Sequence, residues 1–295
     1  MDWQSRLIGV YLKVCDYWDQ GIWTACQRFS NNQAVLLTDQ EALTIYIFGI
    51  MKGKKTVKAI HTFTEEFLSE WFPSLDGYEA FAHRLNQVSD VFIALVARLV
   101  DDLDSMQVPS HPIRLLVDSL PIIIANNNRS SRARVAPEIA DKGFCDAKSM
   151  YYYGVKLHIA GRDRDLTLPI PHVVGITPAS HHDLSAFRNV FPGIYNCDIF
   201  ADKAYIDHDL QLDLKEQQGV VLSTPVKLKK GQSILDSADR LYSKAVSSIR
   251  QPIESFFSWL EEKTGIQRAS KVRSYKGLLV HVFGRMAAGI MLLEV

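Results

Sequence analysis

Along residues 1 to about 107 the apolar positions recur at helical spacing. Leu7, Val10, Tyr11, Val14 and Trp18 form one such face, the stripe of an amphipathic helix. Thr38 and Asp39 are cap candidates for a second helix over 42–51, because their short side chains can take up free amides at a helix start. The basic break Lys52-Gly53-Lys54-Lys55 precedes a third helix over 56–71. Residues 73–77 read as a loop, and 78–104 as helix again. Helix, glycine turn, helix fits a helix-turn-helix DNA reader and equally an ordinary helical hairpin. The pattern changes after Pro109 to Pro112. Strands are expected over 113–117, 151–160, 166–176, 198–201 and 220–224, and helices over 182–190, 207–218, 234–249, 252–263 and 275–292.

Three strands, helix, strand, helix, strand, helix is the element order of the ribonuclease-H-like fold. The expectation is therefore an α/β protein. A mixed five-stranded sheet flanked by helices would occupy 112–295, behind an all-α region over 1–107 that reads DNA.

Three acids stand out against this order. Asp118 closes the apolar run Ile113-Arg114-Leu115-Leu116-Val117, and Asp202 closes Ile199-Phe200-Ala201. An Asp at a buried strand's end projects at the rim of a sheet, where ligands bind. Glu254 follows Arg250 and Pro252 on a helical stretch whose stripe is Ile249, Ile253, Phe256 and Leu260. Pro252 is tolerated near a helix start, which would put Glu254 at a helix N-terminus, where a carboxylate is favoured. Three carboxylates on adjacent elements suit Mg²⁺ or Mn²⁺. Two such ions about 4 Å apart activate a nucleophile and stabilise both oxygens of a phosphodiester displacement. Lys203 is placed to steady Asp202 or to contact a phosphate. Taken singly, each acid also has a structural explanation as a cap, a turn residue or a solvated flank.

Composition changes the picture in one respect. The 295 residues carry 33 Lys+Arg against 33 Asp+Glu, and a neutral chain counts mildly against a nucleic-acid partner. Local charge counts for one. Lys52, Lys54, Lys55 and Lys58 form one cluster, and Arg129, Arg132 and Arg134 a second. Lys227, Lys229 and Lys230 form a third; Lys263, Arg268, Lys271, Arg273 and Lys276 form a fourth, with no acid among residues 263–276. Such groups neutralise phosphates.

Cys15, Cys26, Cys145 and Cys197 form no CxxC pair, so zinc-ribbon chemistry is unsupported and reduced thiols are expected. His181-His182-Asp183 has no second histidine pair at helical spacing, and no G-x-S-x-G turn is present. Met1-Asp2-Trp3-Gln4 carries no signal pattern, and the last apolar stretch contains His281 and Arg285. A cytoplasmic protein with a buried final helix, outside any membrane, is expected.

Five segments in order carry a family resemblance. They are Val117-Asp118-Ser119; Gly154-Val155-Lys156-Leu157-His158; the Thr177 to Asp183 segment ending in His182-Asp183; Ala201-Asp202-Lys203-Ala204-Tyr205; and Arg250-Gln251-Pro252-Ile253-Glu254. Together they resemble the DDE transposases of bacterial insertion sequences over about 113–295. The resemblance implies an enzyme that binds terminal inverted repeats, cleaves their ends with Mg²⁺ or Mn²⁺, and joins the freed 3′-hydroxyl to target DNA, working as a homodimer or larger assembly. Asp118, Asp202 and Glu254 would be the catalytic, metal-binding acids. Arg250 would orient the glutamate or a phosphate, with His158, His182 and Asp183 as support. The chain departs from the family pattern at Ser247 and Glu261, where Tyr and Lys are common, and at Ala201 and Ala204, where glycines are common. A nuclease of the same fold without strand transfer, and an inactive DNA-binding relic, stay open as alternatives.

Overall fold

The computed structural model describes residues 2–26, 36–107, 113–228 and 230–294. The Pro109–Pro112 boundary lies outside them. Five helices come first: α1 (Trp3–Asp19), α2 (Asp39–Met51), α3 (Val57–Phe67), α4 (Tyr78–Gln87) and α5 (Ser89–Ser105). Thr38 caps α2 through a reciprocal pair with Glu41, so two free amides are satisfied at once. Residues Ala42 to Ile50 of α2 are all buried. The basic turn that follows is largely exposed, and Lys54 sits over the Phe63 ring.

Six strands follow among the described residues: β1 (Ile113–Asn126), β2 (Asp141–Cys145), β3 (Met150–Arg162), β4 (Ile170–Pro178), β5 (Cys197–Phe200) and β6 (Val221–Ser223). They lie in one mixed sheet, ordered β2-β3-β1-β5-β6, with β4 also on β3. β1 runs antiparallel to β3 and parallel to β5. The apolar pattern predicts five strands; β2 is the addition. Its Asp-Lys-Gly-Phe-Cys sequence lacks an apolar alternation, and Phe144 is exposed. β2 pairs with the first part of β3 and β4 with the rest, so the two lie end to end in one row. The ribonuclease-H-like arrangement is retained.

The helices α6 (Asp183–Val190), α7 (His208–Gln218), α8 (Ser237–Thr264) and α9 (Tyr275–Leu293) complete the chain. α8 is one continuous 28-residue helix with Pro252 inside it, where the sequence pattern predicts two helices and a start at Pro252. A proline there removes one helical hydrogen bond. Burial of Val246, Ile253, Phe256, Phe257 and Leu260 holds the helix together around it. Glu254 is consequently mid-helix, and no N-terminal dipole favours its charge.

The sheet has two covered faces, set by the two-residue alternation of a strand. Leu115 and Val117 pack with Phe187, Leu210 and Leu214, under α6 and α7. Leu116, Leu120, Ile122 and Ile124 pack with Ile253 and Phe256 of α8, in a core that runs on into α1, α2, α5 and α9. α9 is long and apolar enough to span a bilayer, but 78% of that window is buried inside the protein.

Candidate active site

Asp118 does not end its strand. β1 continues for eight further residues to Asn126, paired with β3 except for a register shift at Ile124. What ends is the neighbour. β5 pairs with β1 only from Ile113 to Leu116 and stops at Phe200. Beyond that point one edge of β1 is open until Ile123, whose N–H and C=O pair with Gln267 and Ala269 at 2.7 and 2.9 Å. Pro121 is tolerated inside the strand because its missing N–H, two residues before that of Ile123, faces the same open edge.

In the alternation of β1, Asp118 falls in the row of Leu116, Leu120 and Ile122, beneath α8. Its row neighbours on either side, Leu116 and Leu120, are buried and apolar. Its Oδ2 accepts from Arg250 Nη1 at 2.8 Å, and its Oδ1 accepts from the Ser119 amide at 2.8 Å. Arg250 Nη2 donates to Glu254 Oε1, one helical turn on. Asp202 lies two residues past the last β1–β5 pair, and its Oδ1 accepts from the Ala204 amide at 2.7 Å. Burial pushes the Asp118 carboxyl up to about 6; Arg250 opposes the shift, while Asp202 and Glu254 add to it. Burial raises Asp202 too. Thus the three expected acids do converge, and a single guanidinium stands among them.

Among the described residues no three His, Cys, Asp or Glu side chains are gathered tightly enough to hold an ion as they stand. Arg250 stands between Asp118 and Glu254 and bonds both. In donor type and charge the group still fits a hard divalent cation, with three carboxylates against one arginine. Arg250 Nε is buried with no partner, and Glu254 is half-exposed and free to turn.

The supporting residues occupy the other face. Ser119 Oγ donates to Asp183 Oδ1 at 3.3 Å, and Lys156 Nζ donates to the same oxygen at 2.9 Å. His158 is fully buried opposite Ser119, with Nε2 2.8 Å from Thr177 Oγ1. Burial drops its pKa to about 4, so the ring is neutral at physiological pH. His182 is exposed at the start of α6. The sheet thus separates His158, Lys156 and Asp183 from Asp118 and Glu254, and the two groups come near one another only at the rim, around Asp202 and Tyr205.

Lys203 is exposed and makes no ion pair among the described residues. Arg250 and, more weakly, Lys227 are the cations that favour ionised Asp202, and Lys227 stands on the groove side. With Lys142, Tyr151 and Lys156 it lines a groove of about 640 Å³ that reaches Asp183 and Ala204. Sequence reasoning missed Lys142, Tyr151 and the buried, unpartnered Tyr205 hydroxyl; the aromatic residues beside both motifs were the available signal.

Gly154 has a specific task. A Cβ there would meet the Ile122 carbonyl oxygen at 2.0 Å, so only glycine lets β3 lie this close to β1 just beyond Asp118. Of the DNA candidates, Lys52 and Lys54 sit over Phe48 and Phe63. Arg129, Arg132 and Lys230 are exposed. Lys263 pairs with Glu262 and Arg268 with Glu261. Lys229 lies outside the described residues.

No curated protein matches the chain. A family model described as a transposase DDE domain matches residues 111–274. That is more than half of the chain, and it takes in Asp118, Asp202 and Glu254. The fold and the convergence of three carboxylates agree with the match, and the chain belongs to the DDE transposase family.

Proposed function

We propose that the chain binds the terminal inverted repeats of an insertion sequence, cuts the DNA at their ends in a metal-dependent reaction, and joins the freed 3′ ends to target DNA. The observation that carries this is the meeting of Asp118, Asp202 and Glu254 around one arginine at the open edge of β1. Asp118, Asp202 and Glu254 would hold Mg²⁺ or Mn²⁺, two ions to a site, which would supply activation of a water or 3′-hydroxyl and screening of charge on the phosphate. Asp118 is set by its place on β1 and Asp202 by the bond from the Ala204 amide, so both hold their oxygens in place. Glu254 turns away from Arg250 to complete the set, and the released guanidinium is then available to a phosphate oxygen. Two DNA ends must be held together, so the working form is a dimer or larger. The N-terminal helices contribute to DNA recognition.

Purified protein, Mg²⁺ and a duplex carrying the sequences that flank the gene test this. Wild type is expected to nick at the repeat ends and to give joined product from pre-cut ends. Asp118→Asn, Asp202→Asn and Glu254→Gln should each lose at least about 100-fold in cleavage while still binding DNA. Undiminished cleavage by any one of them overturns the assignment. Cleavage without joining would reduce the protein to a nuclease of the same fold.

A further inference from the structure

A second charged site lies at the far end of α8. There the turn before α3, α4, the 268–274 segment and α9 line a cavity of about 210 Å³. This is smaller than the roughly 300–1,000 Å³ of a pocket for drug-sized ligands, and of a size to take a single small anion. Lys55, Arg268, Lys271, Arg273 and Arg285 line it, and no Asp or Glu does. Arg268 alone among these pairs with a carboxylate, that of Glu261 at 3.3 Å.

Arg285 is the unusual member. It is 3% exposed. Its Nη1 donates to the Thr264 carbonyl and its Nη2 to that of Lys55, the latter at 2.7 Å, while Nε is buried without a partner. All of these partners are neutral. The Tyr46 hydroxyl, which also hydrogen-bonds Arg285, is neutral too, so the buried guanidinium keeps its full charge uncompensated, and burying an ion in that state is costly unless a counter-charge arrives. The basic residues of the turn and of the 268–273 segment are separated by more than 200 positions in sequence, yet they converge on this one cavity.

We infer that this cavity is a seat for a phosphodiester group of the DNA backbone, with Arg285 at its floor and Lys55, Lys271 and Arg273 at its rim. The inference rests on the DNA-binding reading above and adds a specific contact to it. Position supports it. Glu254 and Thr264 lie ten residues apart on α8, or about 15 Å at 1.5 Å per residue. That is the length of four or five nucleotide steps at about 3.4 Å each, so one duplex can reach both sites. The 267–269 segment also closes the open edge of β1 beside the acids. A phosphate held here would fix the register of the strand that enters the acid site.

The test measures binding of the full chain to a fluorescein-labelled duplex of arbitrary sequence, in EDTA so that cleavage plays no part. Lys55 and Lys271 are exposed, so the double variant K55Q/K271Q should fold. It is expected to bind more weakly and to lower the slope of log affinity against log salt by about 1, the value for one phosphate no longer neutralised. Wild-type binding with an unchanged slope in the variant overturns this inference alone. Failure of the wild type to bind duplex overturns the DNA-binding reading, and this one with it. Lysine acetylation read by mass spectrometry separates the sources of phosphate. Duplex should shield Lys55 and Lys271, and inorganic phosphate at equal phosphate concentration should not. Shielding by inorganic phosphate alone assigns the cavity to a free anion and overturns the backbone assignment.

Discussion

The acid site and the basic cavity are built in opposite ways. Asp118 stands on β1 and Asp202 two residues past the end of β5, so each lies two residues beyond the last β1–β5 pair. The cavity is assembled from a turn, a loop and the faces of α4 and α9. Each site is short of counter-charge: three carboxylates share Arg250, whereas Lys55, Lys271, Arg273 and Arg285 have no carboxylate partner among the described residues. A net charge of zero thus conceals two unbalanced sites joined by α8. One suits a divalent cation and the other a phosphate. Rigid strands suit the site that must hold reacting atoms within fractions of an ångström. A seat for backbone phosphate tolerates looser construction, because it positions the strand without reading its sequence.

The largest way to break this contrast is through the strands. Gly154→Ala forces a Cβ against the Ile122 carbonyl and should lower stability by about 3 kcal/mol, the upper end for an overpacked site. Urea unfolding would show it as a lower midpoint with an unchanged slope. The same change at Gly77 or Gly193 meets no neighbouring atom. Wild-type stability in Gly154→Ala would mean that the β1–β3 spacing is not fixed there.

A smaller effect concerns the charge of the acid site without metal. The Asp118 carboxyl is raised from 3.8 to about 6 in the folded protein. Above its unfolded value the native state holds more protons than the unfolded one, so ionising Asp118 opposes folding. That opposition is absent below about pH 4, grows between about 4 and 6, and is complete above. Asp118→Asn removes it and loses the Arg250 bond. Each tenfold change in proton affinity is worth about 1.4 kcal/mol, so the variant should gain about 1–3 kcal/mol at pH 8. Thermal melts in EDTA should show a Tm raised by several degrees at pH 8, closing to nothing near pH 4. An equal or lower Tm at pH 8 would contradict the burial argument. The smallest effect is the change of salt slope expected for K55Q/K271Q.

Much of the acid site was legible because its residues sit at fixed points of a strand-and-helix order. The Val117-Asp118-Ser119 run, Asp202 after β5, and Arg250 one turn before Glu254 are local patterns, and the structure brings them together. Other features were not local. Pro252 reads as a helix start, yet apolar residues on both sides of it bury one long helix. β1 outlasts its apolar run because β3 pairs with it to Asn126, and Pro121 does not stop it because its neighbour on that edge has already ended. Lys156 and His158 share a motif with the acids but lie on the opposite face, which alternation reveals only once the register is known. The cavity joins residues far apart in the chain, and no periodicity announces such a meeting.

The central claim is that Asp118, Asp202 and Glu254 form a divalent-metal centre. Equilibrium dialysis of the full chain against Mn²⁺ at pH 7.5, with Asp202→Asn in parallel, tests it without depending on catalysis. Saturable binding by the wild type, weakened at least about tenfold in the variant, is the expected result. Equal Mn²⁺ binding by the two proteins, or none by the wild type in the presence of DNA, would contradict it.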